Sequence, residues 1–167
     1  MAEADTIFSS KMEYEGIFSL KDFYKFCYYW LKEETDLEMV EDEYKEKIIG
    51  DIKEIGIKWT GTKEITDYFK FEVKTVFRIT NLKNAEIQKG GAKIKTNEGN
   101  VEVITKGVLI KDYDGKFEGS AFKKFLRSTY EKWIIPARVD EYETKLSEKC
   151  DEFLGQAKAY LALEGKR

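Results

Sequence analysis

The sequence predicts an α+β fold, in which a single curved antiparallel sheet of about six or seven strands packs on a long C-terminal helix. The segment 67–80 alternates apolar and polar side chains, which is typical of a strand with one buried face. Helical periodicity follows the first predicted strand at 19–34 and returns over 136–160, where it predicts a helix long enough to cross a sheet. We therefore expect a single domain spanning 1–167.

The N-terminal part predicts one strand followed by one helix. Residues 1–10 are expected to be loosely ordered, and Lys11–Ser19 alternates as a strand does. Ser19 is a suitable N-cap for a helix that runs to about Glu34. The apolar residues of this helix follow the spacing of one buried face: Phe23, Phe26, Cys27, Trp30 and Leu31.

The middle of the chain predicts short strands before the long one. Thr35–Asp42 is expected to be a connector. Tyr44–Trp59 is expected to form two short strands broken near Gly50–Asp51, because its glycines disfavour a helix interior. A predicted turn at Thr60–Lys63 leads into the long strand over Asp67–Thr80.

Four further turns divide the rest of the predicted sheet. They lie at Asn81–Asn84 (a turn or a bulge), Gly90–Gly91, Asn97–Asn100 and Asp114–Gly115. Short strands are expected on either side of Gly90–Gly91, another strand over Val101–Lys111, and a last short one over Lys116–Glu118.

The C-terminal part predicts two helical segments that are separated by the only proline. Ser120 can cap the first segment, and Pro136 breaks or kinks the helical region. After Pro136, apolar residues recur at steps of three and four and define the face that packs on the sheet: Val139, Tyr142, Leu146, Cys150, Phe153, Ala157 and Tyr160.

Composition excludes several kinds of site. The chain of 167 residues contains no histidine, which removes the commonest general base and the usual nitrogen ligand of zinc. The net charge of -3 gives no electrostatic reason to expect nucleic acid binding. Cys27 and Cys150 both fall in apolar helical registers and are expected to be buried thiols. We expect no cofactor, no metal site, no membrane span and a cytoplasmic location.

The order of these elements resembles the helix-grip fold of START-like lipid-transfer domains, pollen-allergen-like proteins and polyketide cyclases. The resemblance covers most of the chain and rests on element order: strand, helix, antiparallel strands, long C-terminal helix. It departs from the family pattern in having one helix where that family usually has a pair, and in the break at Pro136. It implies a cavity between the sheet and the last helix. The chain also resembles archaeal proteins of uncharacterised function, which implies no activity.

Three functional hypotheses follow. The first is a non-enzymatic binding module that holds an apolar or amphipathic, lipid-like small molecule between the sheet and the C-terminal helix. The polar residues on the apolar face, Thr75 and Thr105, could orient such a ligand, or could simply pair across strands as β-branched residues do. The candidate lining residues are Trp59, Phe71, Val73, Thr75, Phe77, Thr105, Tyr142 and Leu146.

The second hypothesis is a protein-interaction or assembly module, for example a homodimer, that uses Tyr24, Tyr28 and Tyr29 or the C-terminal apolar stripe. The third is a cyclase- or hydrolase-like enzyme, which would need a carboxylate with a raised pKa inside the cavity. Glu54 and Glu72 are the nearest carboxylates for that role, although alternation places Glu72 on the polar face.

Overall fold

The computed structural model describes residues 3–111, 121–129, 132 and 136–165. Within these residues the chain forms one five-stranded antiparallel sheet, a helix after the first strand and a long C-terminal helix. The elements are β1 (Glu3–Phe18), α1 (Leu20–Thr35), β2 (Glu38–Ile49), β3 (Ile52–Glu64), β4 (Phe69–Lys89), β5 (Ala92–Lys111), α2 (Ala121–Thr129) and α3 (Pro136–Gly165).

The strands lie in the order β1-β5-β4-β3-β2, so that β1 and β2 are the edges of the sheet. Both α1 and α3 cover the same side of the sheet, which we call the inner face, and they also contact each other. Most of the core lies between this face and the two helices. The predicted class, with a helix after the first strand and a sheet packed on a C-terminal helix, is confirmed.

The first strand begins earlier than the sequence predicts. Residues 3–10 are part of β1 and pair with β5, from Glu3 opposite Lys111 to Ser10 opposite Thr105, so the expectation of a loose start is wrong for them. The alternation there is poor because most of these side chains are exposed. The predicted cap of α1 is confirmed, since the Ser19 hydroxyl accepts a hydrogen bond from the Asp22 backbone N–H.

The β2–β3 hairpin turns at the predicted place, Gly50–Asp51, and Gly50 has a positive φ of 63°. Two neighbouring predictions are wrong. The expected connector at Thr35–Asp42 already belongs to β2 from Glu38 onwards. The expected turn at Thr60–Lys63 is extended, because each of these residues pairs with β4.

Within the described residues the sheet has five strands, fewer than the six or seven predicted. The segment at Asn81–Asn84 is a bulge inside β4, where the register shifts and Asn81 takes a φ of 53°. The expected turn at Asn97–Asn100 is a continuous part of β5. The predicted long strand and the short strand before Gly90 are therefore one strand of 21 residues, β4, and the short strand after Gly91 and the strand over Val101–Lys111 are one strand of 20 residues, β5. The Gly90–Gly91 turn joins them as predicted, with positive φ at both glycines.

Pro136 is the first residue of α3, a position that suits proline because its missing N–H would have no partner there. The helix has 30 residues and buries much of the predicted stripe, including Leu146, Cys150 and Phe153. None of the helices in the described ranges combines the length and hydropathy that crossing a bilayer requires. The predicted turn at Asp114–Gly115, the strand at 116–118 and the cap at Ser120 lie outside the described residues.

Candidate functional site

Two buried threonines lie side by side on the inner face. Thr75 of β4 is directly opposite Thr105 of β5, and the same row continues to Trp59 on β3 and Ser10 on β1. Both threonines are 0% exposed, and neither hydroxyl has a hydrogen-bond partner among the described residues. Buried hydroxyls without partners carry an unrecovered desolvation cost, so this pair is an unusual feature of an otherwise apolar core.

A cleft opens next to this pair, between the end of α1, the middle of α3 and the strands β3 and β4; we call it the α1–α3 cleft. Its volume is about 360 Å³. It contains three of the predicted lining residues, Phe71, Val73 and Leu146. Thr75 follows Val73 on the same face of β4, so it lies about 7 Å deeper into the core.

The other predicted residues are near this cleft but do not line it. Trp59 and Phe77 are 1% exposed, and their rings contact each other with centroids 4.8 Å apart. Tyr142 packs its ring on Phe69 at 5.2 Å and lies toward Phe71 at 6.3 Å, at one end of the cleft. Six of the eight predicted residues therefore lie on the inner face and two on α3 above it, and only Phe71, Val73 and Leu146 line the cleft.

Close packing of α3 on the sheet limits the cleft on one side. Gly107 of β5 is opposite Val73, and a Cβ at this glycine would lie 3.0 Å from Cys150 Sγ and 3.2 Å from Leu146 Cγ. The absence of a side chain thus lets the helix approach the strand. Burial raises the pKa of the Cys150 thiol to about 12, so the residue is a neutral apolar group in the cleft wall.

The charged rim of the α1–α3 cleft is largely self-neutralised. Three lysines and four carboxylates border it. Lys149 lies 3.6 Å from Glu152, and Lys145 lies 3.2 Å from Glu141 just outside the cleft. A rim of this kind has no surplus positive charge with which to hold an anionic group.

Glu41 belongs to the same region, and the sequence analysis missed it. Its Oε1 accepts hydrogen bonds from the Tyr24 hydroxyl at 2.7 Å and from Trp59 Nε1 at 3.2 Å. Burial, followed by the hydrogen bond to Glu41, raises the pKa of Tyr24 to about 12. Tyr24 and Tyr28 both pack edge-on against Trp59, at 5.1 and 5.7 Å. In the sequence, Glu41 lies in the segment Thr35–Asp42, which was expected to be a connector. Nothing else in the sequence marked it as a functional residue.

A second cleft lies at the opposite end of α1, where the sheet continues beyond the helix; we call it the α1–hairpin cleft. Its volume is about 500 Å³. The first turns of α1, the β2–β3 hairpin and the β4 bulge border it. Nothing in the sequence pointed to it, because it depends on where α1 stops covering the strands.

Glu54 and Glu72, the two carboxylates named for the enzyme hypothesis, line neither cleft. Glu72 pairs with Thr62 and Val108 on the outer face, and Glu54 is exposed beside Ile55. Within the described residues, no group of three or more cysteine, aspartate or glutamate side chains is arranged to hold a metal ion. In the comparisons with known proteins, neither a protein-family model nor a curated protein matches this sequence.

Proposed function

We propose that the protein is a non-enzymatic binding module that holds an apolar or amphipathic small molecule in the α1–α3 cleft, as a helix-grip protein would. The observation that carries the proposal is the pair of unpartnered hydroxyls on Thr75 and Thr105 beside a largely apolar cleft. A volume of about 360 Å³ lies within the range of small-molecule sites, which typically combine apolar walls with a few polar groups.

The ligand that fits this arrangement has an apolar body and an uncharged polar group. Phe71, Val73 and Leu146 supply the apolar walls. A hydroxyl or carbonyl that reaches the threonine pair would recover the hydrogen bonds that the empty protein lacks. The self-neutralised rim gives no attraction to a net charge, which favours a neutral head group over an ionic one.

The test pairs a binding measurement with a stability measurement. Thr75→Val keeps the side-chain shape and removes the hydroxyl, so it should stabilise the empty protein by about 1–2 kcal/mol, because a buried unsatisfied group disappears. The same change should weaken binding of dodecanol about 3- to 10-fold, which is the value of one hydrogen bond. Affinities are measured by displacement of the neutral fluorophore N-phenyl-1-naphthylamine, and stabilities by urea unfolding.

Two control variants test whether dodecanol binds in the α1–α3 cleft. Leu146→Phe narrows the cleft and should reduce the affinity for dodecanol, whereas Lys158→Gln, on an exposed part of α3, should leave it unchanged. Native mass spectrometry of the purified protein should detect a neutral co-purifying molecule. If dodecanol does not bind, or if Leu146→Phe binds it as tightly as the parent protein, the α1–α3 cleft is not the site.

An interaction module is the second candidate function, and the edge strand β2 favours it. This strand exposes four large apolar side chains: Val40, Tyr44, Ile48 and Ile49. Unpaired strand edges are templates for pairing with another chain. The tyrosines first considered for this role are less suitable, since Tyr24 is engaged with Glu41 and Trp59.

The interaction candidate is tested by light scattering of the purified chain. If β2 pairs with a second copy, the mass should be that of a dimer, and Ile48→Lys should convert it to a monomer because that side chain is 67% exposed on the edge. A monomer at every concentration would contradict self-association through β2.

A further inference from the structure

We propose that the α1–hairpin cleft is a separate binding site for an anionic amphiphile, that is, a molecule with one hydrocarbon chain and one carboxylate or phosphate group. This site goes beyond the proposed function, which concerns a neutral ligand in the α1–α3 cleft. Two observations carry it: the apolar floor of the cleft, and an excess of lysines around it that have no ion-pair partner among the described residues.

The floor of the cleft comes from the inner face of the sheet. Ile55 and Ile57 of β3 and Leu82 of β4 form it, and Leu20 closes it from the first turn of α1. Ile55, Ile57 and Leu82 are only 1–4% exposed, so the cleft reaches the edge of the core at the place where the strands continue past the start of α1. Apolar surface in a concave site of about 500 Å³ is suited to a hydrocarbon chain.

The rim of this cleft is positive, although the whole chain has a net charge of -3. Four lysines border the cleft, against the two carboxylates of Glu46 and Asp51. Lys53 lies 3.0 Å from Glu46, so this pair is neutral. The remaining lysines are Lys21, Lys25 and Lys83, and none of them has an ion-pair partner among the described residues.

The positions of these lysines suit one shared anion. Lys21 and Lys25 are four residues apart on α1 and therefore project from the same side of the helix, while Lys83 borders the cleft from β4, where it is opposite Glu98 of β5. Their aliphatic stems can lie along the cleft walls while the ammonium groups stay in water at the rim. An anionic head would then sit at the rim, with its chain on Ile55 and Ile57.

The remaining polar groups of the cleft do not compete with this arrangement. The Tyr24 hydroxyl already donates to Glu41. Asn97 Oδ1 accepts from the Leu20 N–H at 3.1 Å, and this bond holds the start of α1 at the edge of the cleft. Of the two carboxylates that line the cleft, only Asp51 has no ion pair among the described residues. Glu98 lies just outside the lining, opposite Lys83 on the neighbouring strand, and the three lysines still outnumber these two carboxylates.

The experiment compares four ligands that share one chain: dodecanoate, dodecyl phosphate, dodecanol and dodecyltrimethylammonium. Binding is measured by calorimetry below the micelle concentration, and the site is located by amide chemical shifts in NMR spectra. We expect both anions to shift the resonances of Leu82, Asn84 and Asn97, and their affinity to fall as salt screens the rim. A preference between the two anions would identify the head group.

Replacing the lysines by glutamine separates the contribution of charge to ligand binding from the contribution of apolar packing. Lys25→Gln and Lys83→Gln should each weaken the anions about 2- to 5-fold, the range of an exposed ion pair, and should leave dodecanol unchanged. Lys145→Gln, at the rim of the α1–α3 cleft, is the matched control and should have no effect on anion binding.

Three outcomes would overturn the proposal. The first is that neither anion binds, and the second is that both bind no more tightly than the ammonium ligand, which shares their chain but carries the opposite charge. The third is that the anions shift Phe71 and Leu146 while Leu82 and Asn97 do not respond, because the ligand then occupies the other cleft. None of these outcomes bears on whether dodecanol binds the α1–α3 cleft, so the two proposals fail separately.

Discussion

At the scale of single residues, both cysteines are buried in the core, and this burial determines how reactive their thiols are. Cys27 is 0% and Cys150 2% exposed. Burial raises the pKa of both thiols, that of Cys27 well above its usual value and that of Cys150 to about 12. Because the thiolate is the reactive form, the folded protein should present almost none of it at neutral pH.

We therefore expect neither thiol to react with Ellman's reagent at pH 8 while the protein is folded. Both should react within seconds to minutes in urea, where they are exposed and titrate near their ordinary value of about 8.5. The absorbance of the released thiolate measures the reaction. Rapid modification of one thiol without denaturant would contradict the burial of that residue.

The Tyr24–Glu41 hydrogen bond predicts a loss of stability in alkali. The pKa of Tyr24 is raised from 10.0 to about 12, mainly by burial and then by the hydrogen bond. A group whose pKa is higher in the folded than in the unfolded state contributes to stability while it is protonated in both states. For Tyr24 this contribution is complete below pH 10 and is lost as the pH rises from 10 to 12.

Tyr24→Phe has no proton to lose, so its free energy of unfolding should fall less steeply over that window than that of the parent protein. Urea unfolding at several pH values measures the difference. The comparison cancels the contribution of the cysteines, which titrate in the same range in both proteins. Parallel curves for the two proteins would count against the raised pKa.

At the scale of elements, the contact between β5 and α3 depends on a residue without a side chain. A Cβ at Gly107 would press on Cys150 and Leu146 at 3.0 and 3.2 Å. Gly107→Ala should therefore destabilise the protein by about 1–3 kcal/mol, as overpacking does. Gly155→Ala, on α3 where a Cβ meets nothing within 4 Å, should instead stabilise by about 0.5–1 kcal/mol. Thermal unfolding measures both changes in stability. If Gly107→Ala leaves the stability unchanged, α3 can move away from β5 to make room for the methyl group.

The sequence predicts a strand well where one face of the strand is buried, and less well where both faces are exposed. The inner-face residues of β4, from Phe69 to Ile79, alternate clearly because they pack in the core beneath the helices. The end of β4 and the start of β5, around Gly90–Gly91, pair mainly with each other and are mostly exposed. Few of their side chains are buried, so the sequence left a turn or a bulge open at Asn81–Asn84, where the structure has a bulge, and the extended stretch at Asn97–Asn100 was wrongly predicted as a turn.

At the scale of the whole molecule, α1, α3 and the sheet share one principal core cluster. Phe153 of α3 is 0% exposed in it and packs on Trp30 of α1 at 5.6 Å. Phe153→Ala should cost about 3–5 kcal/mol, because it leaves a cavity that both helices border. Leu163→Ala is the control, since that side chain is 61% exposed and its removal should change stability by less than about 0.5 kcal/mol.

The same variant tests whether the elements unfold together. Urea transitions followed by far-ultraviolet circular dichroism and by tryptophan fluorescence should coincide for the parent protein and for Phe153→Ala. Separate transitions would mean that α3 unfolds independently of the sheet.

The candidate sites were predictable only in part, and the reason is geometric. Alternation places Phe71, Val73 and Thr75 on one face, and helical spacing brings Leu146 to the same face. Periodicity does not reveal where a helix ends above a strand, and both clefts lie at ends of α1. It also does not reveal that Thr75 and Thr105 are neighbours, because this depends on the register between two strands.

The position of β1 in the sheet has a consequence for how the chain emerges from the ribosome. β1 is made first, yet its partner is β5, which begins at Ala92. At about 5–20 residues per second, the nascent strand waits on the order of 5–20 s for that partner. During translation its hydrogen-bonding edge is open to other chains, so a chaperone that shields extended segments would act most usefully before β5 has been synthesised.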